Sequence, residues 1–478
     1  MTRSWKNLAD IDPAIPLGPL DGRYRSIVAP LIDHLSEAAL NRARLSVEVE
    51  WLIHLAGSKQ VPGVSPLTAH ECKYLRGLPE AFGEAEISEL AETERVTIHD
   101  VKAVEYLLKQ RLADAADAVP GSSLPALTEL VHFACTSEDI NNLAYALSIG
   151  GAVKEVWLPA ARDLVGDLVA LAREHADLAM LYHTHGQPAT PTTLGKEIAV
   201  LASRLSRQLR RIDSQEYLGK INGATGTFAA HVAAVPKADW VKISRTFVEG
   251  LGLAWNPLTT QIEPHDWQAE LYADVARFNR ILHNLATDLW TYISLGYFSQ
   301  VRGQGTVGSS TMPHKVNPIR FENAEANLEI SSALLDSLSS TLLTSRLQRD
   351  LTDSSTQRNI GVALGHSLLA IKNVRLGLAG LDVDPAALTR DLDGNWEVLG
   401  EAIQTAMRAA ALDGVPGMDN PYERLKDLTR GRKVDAKALR EFVLSLGLPD
   451  EVSARLASLT PASYTGLAGH LVSFLESE

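Results

Sequence analysis

Leu271-Tyr272-Ala273-Asp274-Val275-Ala276-Arg277-Phe278-Asn279-Arg280-Ile281-Leu282-His283-Asn284-Leu285-Ala286-Thr287-Asp288-Leu289 is the stretch from which the architecture follows. Leu271, Val275, Phe278, Leu282, Leu285 and Leu289 recur at steps of three and four, so a 3.6-residue repeat gathers them on one side of a helix. The pattern spans Trp267 to Val301. Gly195 to Gly219 repeats it through Ile198, Leu201, Leu205, Leu209 and Ile212, while Arg204, Arg207, Arg210 and Arg211 mostly face away, and Phe321 to Leu347 continues it. Globular helices average about 11–12 residues. Stretches of roughly twice that length predict a mainly all-α chain built on a multi-helix bundle that other subunits complete.

Around this core the chain divides into three. Residues 1–125 form an N-terminal, mostly helical domain with helical repeats over Leu31 to Leu55 and Ile87 to Leu112. Residues 126–379 form the central long-helix domain. Residues 380–478 hold shorter helices, broken at Asp382-Val383-Asp384-Pro385 and again over Asp413 to Pro421, and read as a small C-terminal helical domain.

Of the 478 residues, 45% are hydrophobic and 22% charged, which is ordinary for a soluble protein. A net charge of -13 opposes nonspecific nucleic-acid binding, so cations that hold an anionic ligand must be gathered locally. Cys72 and Cys135 lie far apart without metal-ligand spacing, which fits a reducing cytoplasm. Met1 to Asp12 does not read as a signal peptide, and the apolar run Gly361 to Val383 is broken by His366, Lys372 and Arg375, so no membrane partner is expected.

Several polar strings interrupt the helical pattern. Asp21-Gly22-Arg23-Tyr24-Arg25 is a turn with cations and an aromatic, and His99-Asp100 opens a helix whose N-terminus favours anions, though Asp100 also serves as a cap. In His132-Phe133-Ala134-Cys135-Thr136-Ser137-Glu138-Asp139-Ile140-Asn141-Asn142, hydroxyls and acids replace apolar residues; the string suits either a binding site or a capped helix start. Tyr182-His183-Thr184-His185-Gly186-Gln187-Pro188 leads through a proline-punctuated turn toward the helix at Gly195. No nearby Cys or carboxylate completes a ligand set for its two histidines, so no metal is expected.

The densest string is Gly308-Ser309-Ser310-Thr311-Met312-Pro313-His314-Lys315-Val316-Asn317-Pro318. Glycines upstream and two prolines within oppose both helix and strand. Such a loop can shut over a small anion, with Lys315 as a point charge, Asn317 as a two-sided hydrogen-bonder and the Ser309 and Ser310 amides as donors.

The loop string resembles the signature of the fumarase/aspartase superfamily, whose members eliminate fumarate from succinyl compounds. His-Phe-Ala-Cys-Thr-Ser-Glu-Asp-Ile-Asn-Asn at 132–142, Thr-His-Gly-Gln-Pro-Ala-Thr-Pro at 184–191 and Thr-Gln-Ile-Glu-Pro-His-Asp at 260–266 are similar to the adenylosuccinate lyase family, particularly its bacterial form. The resemblance extends from Asp21 to Glu423. It implies a three-domain fumarase/aspartase-like fold and cleavage of adenylosuccinate to AMP and fumarate, and of the succinyl-carboxamide ribotide SAICAR to AICAR and fumarate. It further implies a cytoplasmic homotetramer in which each site draws on three chains, acting on small molecules with no cofactor and no metal.

Carried over by position, the resemblance makes His185 the general acid and Ser309 the general base, with Lys315 and Asn317 on the succinyl part. Binding positions fall on Arg23, Tyr24, His99, Asp100, Thr136, Ser137, Gln261, Ser310, Asn323, Arg349, Ser354 and Arg358. Chemistry alone does not choose Ser309 over Ser310; family spacing does. Three departures stand out: Ile98 where a polar Asn is usual, His183 in place of a basic residue, and a long segment at Asp413 to Asn420. The rival readings are a sister lyase for argininosuccinate, malate or aspartate, and a non-catalytic scaffold of the same fold. Gln261, Arg349, Ser354 and Arg358 suit a nucleotide better than a small diacid, and packing alone has no need of His185, Ser309, Lys315 and Asn317 together.

Overall fold

The computed structural model describes residues 16–300, 312, 315–429 and 434–475, and of 427–429 the backbone alone. The fold is mainly helical. The helices that matter below are α1 (Glu37–Ser58), α2 (Glu84–Thr97), α3 (Asp100–Ala113), α4 (Ser137–Gly151), α5 (Leu158–Glu174), α6 (Leu194–Asp213), α7 (Asp266–Ser294), α8 (Ile319–Leu342), α9 (Ile360–Leu378) and α10 (Gly400–Leu412). Strands among the described residues form two-stranded sheets. The longest is an antiparallel hairpin of β1 (Ala179–Thr184) and β2 (Gln187–Thr193).

The chain folds into two compact units. One comprises Met1–Ala161, Gln208–Arg280 and Ala326–Lys372; the other comprises Arg162–Arg207, Ile281–Glu325 and Asn373–Glu478. Helices α5 to α9 contribute residues to both.

Each apolar seam expected from the sequence is buried. Leu271, Val275, Phe278, Leu282, Leu285 and Leu289 of α7 are all 0% exposed, and the seam of α6 is buried while Arg204, Arg207, Arg210 and Arg211 are exposed. In the first unit Trp51, Leu52 and Leu55 of α1, Leu108 and Leu112 of α3 and Ile140 and Leu143 of α4 are buried as well. A π-helical segment, Ala152–Trp157, joins α4 to α5. It turns the Trp157 ring edge-on to Phe278 at 4.9 Å, with the indole N–H donating to Ser367 Oγ at 2.9 Å. In the second unit Phe321 of α8 lies against Gly377 of α9, where a methyl group would come within 2.7 Å of the ring. Residues 399–456 carry an apolar cluster of their own around Ile403, Met407, Leu439 and Val443.

Helix ends depart from the periodicity in physically legible ways. The repeat over Leu31 to Leu55 is interrupted at Ser36, whose extended backbone and hydroxyl, accepting the Ala39 N–H at 3.1 Å, start α1 afresh. The repeat over Ile87 to Leu112 splits into α2 and α3 at Ile98, which has φ 52°. Helix α7 stops at Ser294; Gly296, at φ 78°, redirects the chain into the strand Phe298–Gln300. α8 ends at Leu342, ahead of Leu347.

Gly195 sits where α6 starts against the end of α5. Its N–H donates to His175 O at 2.9 Å, and a Cβ there would lie 2.3 Å from Ala172 O and 2.6 Å from Ala176 Cα. These are backbone atoms, so no rotamer change relieves the clash. Gly166, on an exposed face of α5, has nothing within 4 Å of the same virtual atom. Gly195→Ala should therefore destabilise by about 2–3 kcal/mol, and Gly166→Ala should stabilise by about 0.5–1 kcal/mol. Denaturant midpoints of the two variants measure this; equal shifts would contradict the close approach.

Candidate active site

The first unit brings a polar string of predicted binding residues onto one connected set of contacts. Asp100 opens α3, and His99 caps it by accepting the Lys102 N–H on Nδ1 at 3.2 Å. Asp100 Oδ2 is shared between Arg358 Nη2 at 3.0 Å and Arg44 Nη2 at 2.9 Å, while Oδ1 accepts the Val101 N–H at 2.8 Å. Burial pushes the Asp100 pKa up; Arg44, the Val101 N–H and Arg358 together outweigh it and hold the group below the usual carboxylate range. Arg358 also pairs with Glu37.

Arg44 is 2% exposed, and each of its nitrogens is used: Nε donates to Asn141 Oδ1 at 2.9 Å and Nη1 to Asn41 Oδ1 at 2.8 Å. With its oxygen so engaged, the Asn141 amide donates to Glu138 Oε1 at 2.8 Å. The same oxygen lies 2.5 Å from Arg349 Nη1, off the hydrogen-bond axis, so this buried nitrogen has charge contact but no aligned acceptor. Arg349 Nη2 donates to Ser354 Oγ at 3.1 Å, and Asp353 Oδ2 lies 3.7 Å from Nη1 and 3.3 Å from His265 Nε2. Nearby, Thr260 Oγ1 donates to Gln348 O at 3.0 Å and Gln261 Nε2 to Ala224 O at 3.1 Å.

Thr136 and Ser137 begin α4, so the capped helix start read for this string is observed, and its acids also organise neighbouring backbone. Asp139 Oδ2 accepts the Thr136 N–H at 2.9 Å and the Gly223 N–H at 3.0 Å; Oδ1 accepts the Asn222 N–H at 3.0 Å. Lys220 Nζ stands 2.8 Å from Oδ1, and both side chains are wholly buried. At the head of the string His132, with φ 57°, is held by Glu48 through both its ring, at 2.5 Å, and its own N–H, at 3.0 Å. Burial opposes charge on this imidazole, but Glu48 and Glu105 prevail and raise its pKa. Arg23 and Tyr24 lie on the expected turn, with the Arg23 guanidinium 5.8 Å from the Tyr24 ring centroid.

In the second unit His185 occupies the tip of the β1–β2 hairpin. Thr184 and Gln187 are paired, leaving His185 at φ 55° and Gly186 at φ 71° as a two-residue turn. Positive φ at both positions suits the right-handed strand twist, although the left-handed region costs a non-glycine residue about 1–2 kcal/mol. His185 is exposed, and among the described residues its ring makes no hydrogen bond. Lys315 and Asn317 are also exposed, and Asn323 on α8 accepts from Asn373 Nδ2 at 2.9 Å. Ser309 and Ser310 lie outside the described residues.

Sequence reasoning marked Glu138 and Asn141 only as part of the polar string, and it missed Arg44 and Asn41, which hold them and Asp100. A signal existed, because Leu40, Arg44, Glu48, Trp51 and Leu55 share the inward stepping of α1. The hairpin was missed too; alternation is obscured by Pro188 and Pro191. Ile98 is 89% exposed and left-handed, a conformation asparagine adopts more readily than a β-branched residue. A cavity of about 800 Å³ in the first unit, beside Thr68, His70, Lys73, Tyr74 and Pro120, is lined by none of the predicted site residues.

A mainly helical chain of this organisation, with the signature loop string, defines a lyase of the fumarase/aspartase type. Residues 22–329 match the family model described as lyase, and residues 345–465 match the one described as adenylosuccinate lyase C-terminal. Adenylosuccinate lyase of Escherichia coli is 48% identical over 460 residues, covering 96% of this chain and 98% of that protein. The Haemophilus influenzae enzyme of the same name is 47% identical over 456 residues, covering 95% and 97%. The chain belongs to the adenylosuccinate lyase family. Two solved structures share the fold: a fumarate lyase from Mesorhizobium, with TM-score 0.72 and 20% identity over 93% of this chain and 96% of that one, and the 3-carboxy-cis,cis-muconate lactonizing enzyme of Pseudomonas putida, with TM-score 0.70 and 21% identity over 93% and 95%. No helix among the described residues is long and apolar enough to cross a membrane.

Glu263, two residues beyond Gln261, is 1% exposed and accepts from Asn256 Nδ2 at 3.0 Å and Trp267 Nε1 at 3.1 Å. Burial raises its pKa from 4.5 to about 7 against those two donors. An acid raised on folding leaves stability intact below pH 4.5 and withdraws it as pH climbs through about 7, here by on the order of 2–3 kcal/mol. Unfolding free energy of the wild type should fall between pH 5 and pH 8. Glu263→Gln should flatten that part of the profile; an unaltered slope in the variant would show that Glu263 is ionised in the folded protein throughout.

Proposed function

We propose that this chain cleaves adenylosuccinate to AMP and fumarate, and SAICAR to AICAR and fumarate. The observation that carries the reading is near-full-length similarity to adenylosuccinate lyases, 48% over 96% of the chain, joined to the arginine-bearing constellation of Asp100, Arg349, Ser354 and Arg358 in the first unit. Planar guanidinium groups are suited to phosphate and carboxylate.

In the proposed reaction the Ser309 alkoxide removes the proton from the carbon beside a succinyl carboxylate. Electrons of that C–H bond form the carbon–carbon double bond of fumarate as the C–N bond breaks, and His185 delivers a proton to the departing nitrogen. Lys315 and the loop amides hold the carboxylate as it takes on carbanion charge and favour the serine alkoxide once water is expelled. Asn317, Asn323, Gln261, Thr136, Ser137, Arg23, Tyr24, His99 and Ser310 orient the rest of the substrate. No metal or redox cofactor enters these steps.

We further read the protein as a cytoplasmic homotetramer, organised as 1–125, 126–379 and 380–478, whose sites combine residues of three chains. Exposed Trp290, Ile330 and Leu376 on long helices support association, as does the exposed position of His185 in a single chain.

Purified protein assayed with adenylosuccinate, argininosuccinate, malate and aspartate tests the reading; turnover of only one of the last three would replace it. Ser309→Ala and His185→Ala should each lower kcat by roughly 10²–10⁴-fold while leaving melting and AMP binding near wild type. Unfolded together and reassembled at equal ratio, the two dead variants should recover activity at roughly a quarter of sites, from one independent half-chance per residue. Verified mixed tetramers that stay inactive would refute sharing of the site.

A further inference from the structure

We propose that Arg44, a buried residue of α1 with no expected contact to substrate, is a positioning residue that sets how available Arg349 and Arg358 are to an anionic substrate; the inference rests on the functional reading above. A buried arginine needs partners for its charge and its N–H groups. Arg44 takes them from three separate segments, Asn41 on its own helix, Asp100 at the start of α3 and Asn141 in α4, at 2.8, 2.9 and 2.9 Å. Two short polar paths leave this hub and each ends on an arginine. One runs through Asp100 Oδ2, which Arg44 shares with Arg358. The other runs through Asn141 and Glu138 to Arg349.

Sharing gives the hub its effect. Because Arg44 takes part of the charge of Asp100, Arg358 is held in place without being the sole counter-ion of a largely buried carboxylate. Along the second path Arg44 Nε occupies the oxygen of Asn141, which commits the amide nitrogen to Glu138 Oε1. Glu138, 5% exposed, thereby has a neutral donor besides Arg349, whose Nη1 remains without an aligned acceptor. Without the Arg44 fork, Asp100 draws more strongly on Arg358, the Asn141 amide is free to rotate, and Glu138 draws more strongly on Arg349. Both guanidinium groups then cost more to release to a ligand. Lysine cannot replace the fork, since a compact ammonium on a flexible stem does not present its donors in the spread, fixed geometry of a guanidinium.

Arg44→Lys keeps charge and approximate volume. It should raise KM for adenylosuccinate about tenfold, by analogy with the lower end of the loss when residues that orient metal ligands are altered, with kcat within about threefold because no proton-transfer atom is touched. Calorimetric affinity for AMP should fall by a similar factor. Leu52→Ala, a core truncation on the same helix, serves as the structural control: its melting temperature should drop while KM stays at the wild-type value. Wild-type KM and AMP affinity in Arg44→Lys would overturn the proposal, and so would a KM rise in Leu52→Ala of the same size. Should Arg44→Lys not fold, Asn141→Leu cuts the second path with Arg44 intact and is expected to raise KM alike; an unchanged KM there overturns it equally. A wild-type protein without lyase activity on adenylosuccinate would sink the functional assignment, whereas an active wild type with an indifferent Arg44→Lys sinks only the positioning role.

Discussion

The carboxylate of Asp139 is the constraint on which the first unit's polar constellation depends. It lies fully buried at the start of α4, opposite the equally buried ammonium of Lys220. Its oxygens also receive backbone N–H groups from Thr136, Asn222 and Gly223. A buried ion pair is a weak source of stability, since desolvation offsets most of its Coulomb attraction, but a partly dismantled one is strongly destabilising. Asp139 therefore tolerates little rearrangement around it. Backbone at 136, at the head of α4, and at 222–223, where the chain turns at φ 87° on Gly223, is fixed by one side chain. Asn142 doubles the tie through both amide and carbonyl of Lys220, at 2.8 and 3.0 Å. From this frame Ala224 offers the carbonyl that orients Gln261, and Glu138 reaches Arg349.

How much of this was legible depends on where polarity falls. The seams of α6 and α7 were readable because burial demands an uninterrupted step of three and four, and nothing in their turn chemistry competes. Helix limits were less so. Ser36 and Ile98 break repeats that periodicity alone would continue, since a cap and a left-handed residue act on one turn of backbone and leave the apolar spacing almost unchanged. For the string at 132–142 the sequence leaves a binding site and a helix cap as alternatives; the cap is present, and the same buried acids also satisfy N–H groups of a neighbouring segment. Arg44 was not singled out. Arginine is usually a surface residue, and only its place between Leu40 and Glu48 on the inward stepping of α1 marks it as buried.

The hairpin at 179–193 shows the opposite failure, a local structure concealed by its own turn and proline residues. His185 and Gly186 have the positive φ values of a two-residue hairpin turn, yet a His-Gly pair ahead of a proline-containing strand lacks the Asn-Gly or Asp-Gly signature of such turns. In the proposed reaction this histidine is the general acid, and the left-handed conformation it adopts is a modest cost carried at the tip. An exposed imidazole in water is a solvated acid with no fixed direction. In the proposed reaction such a group works only under surfaces that cover it, and the apolar residues exposed along the long helices fit the association proposed above.

Charge balance in the first unit completes the argument. Arg44, Arg349 and Arg358 face Glu37, Asp100, Glu138 and Asp353, so the site is not a bare positive pocket, in keeping with a chain of net charge -13. An entering anion competes with resident carboxylates for guanidinium groups already oriented. Orientation favours the anion, because the entropy of fixing those side chains has been met in folding, while competition restrains its affinity. A site arranged in this way discriminates by geometry: an anion that reaches both guanidinium groups recovers what the carboxylates give up, and one that reaches a single group does not. That distinction separates a long succinyl nucleotide, charged at both ends, from a small diacid, and it arises from buried side chains that need never touch either ligand.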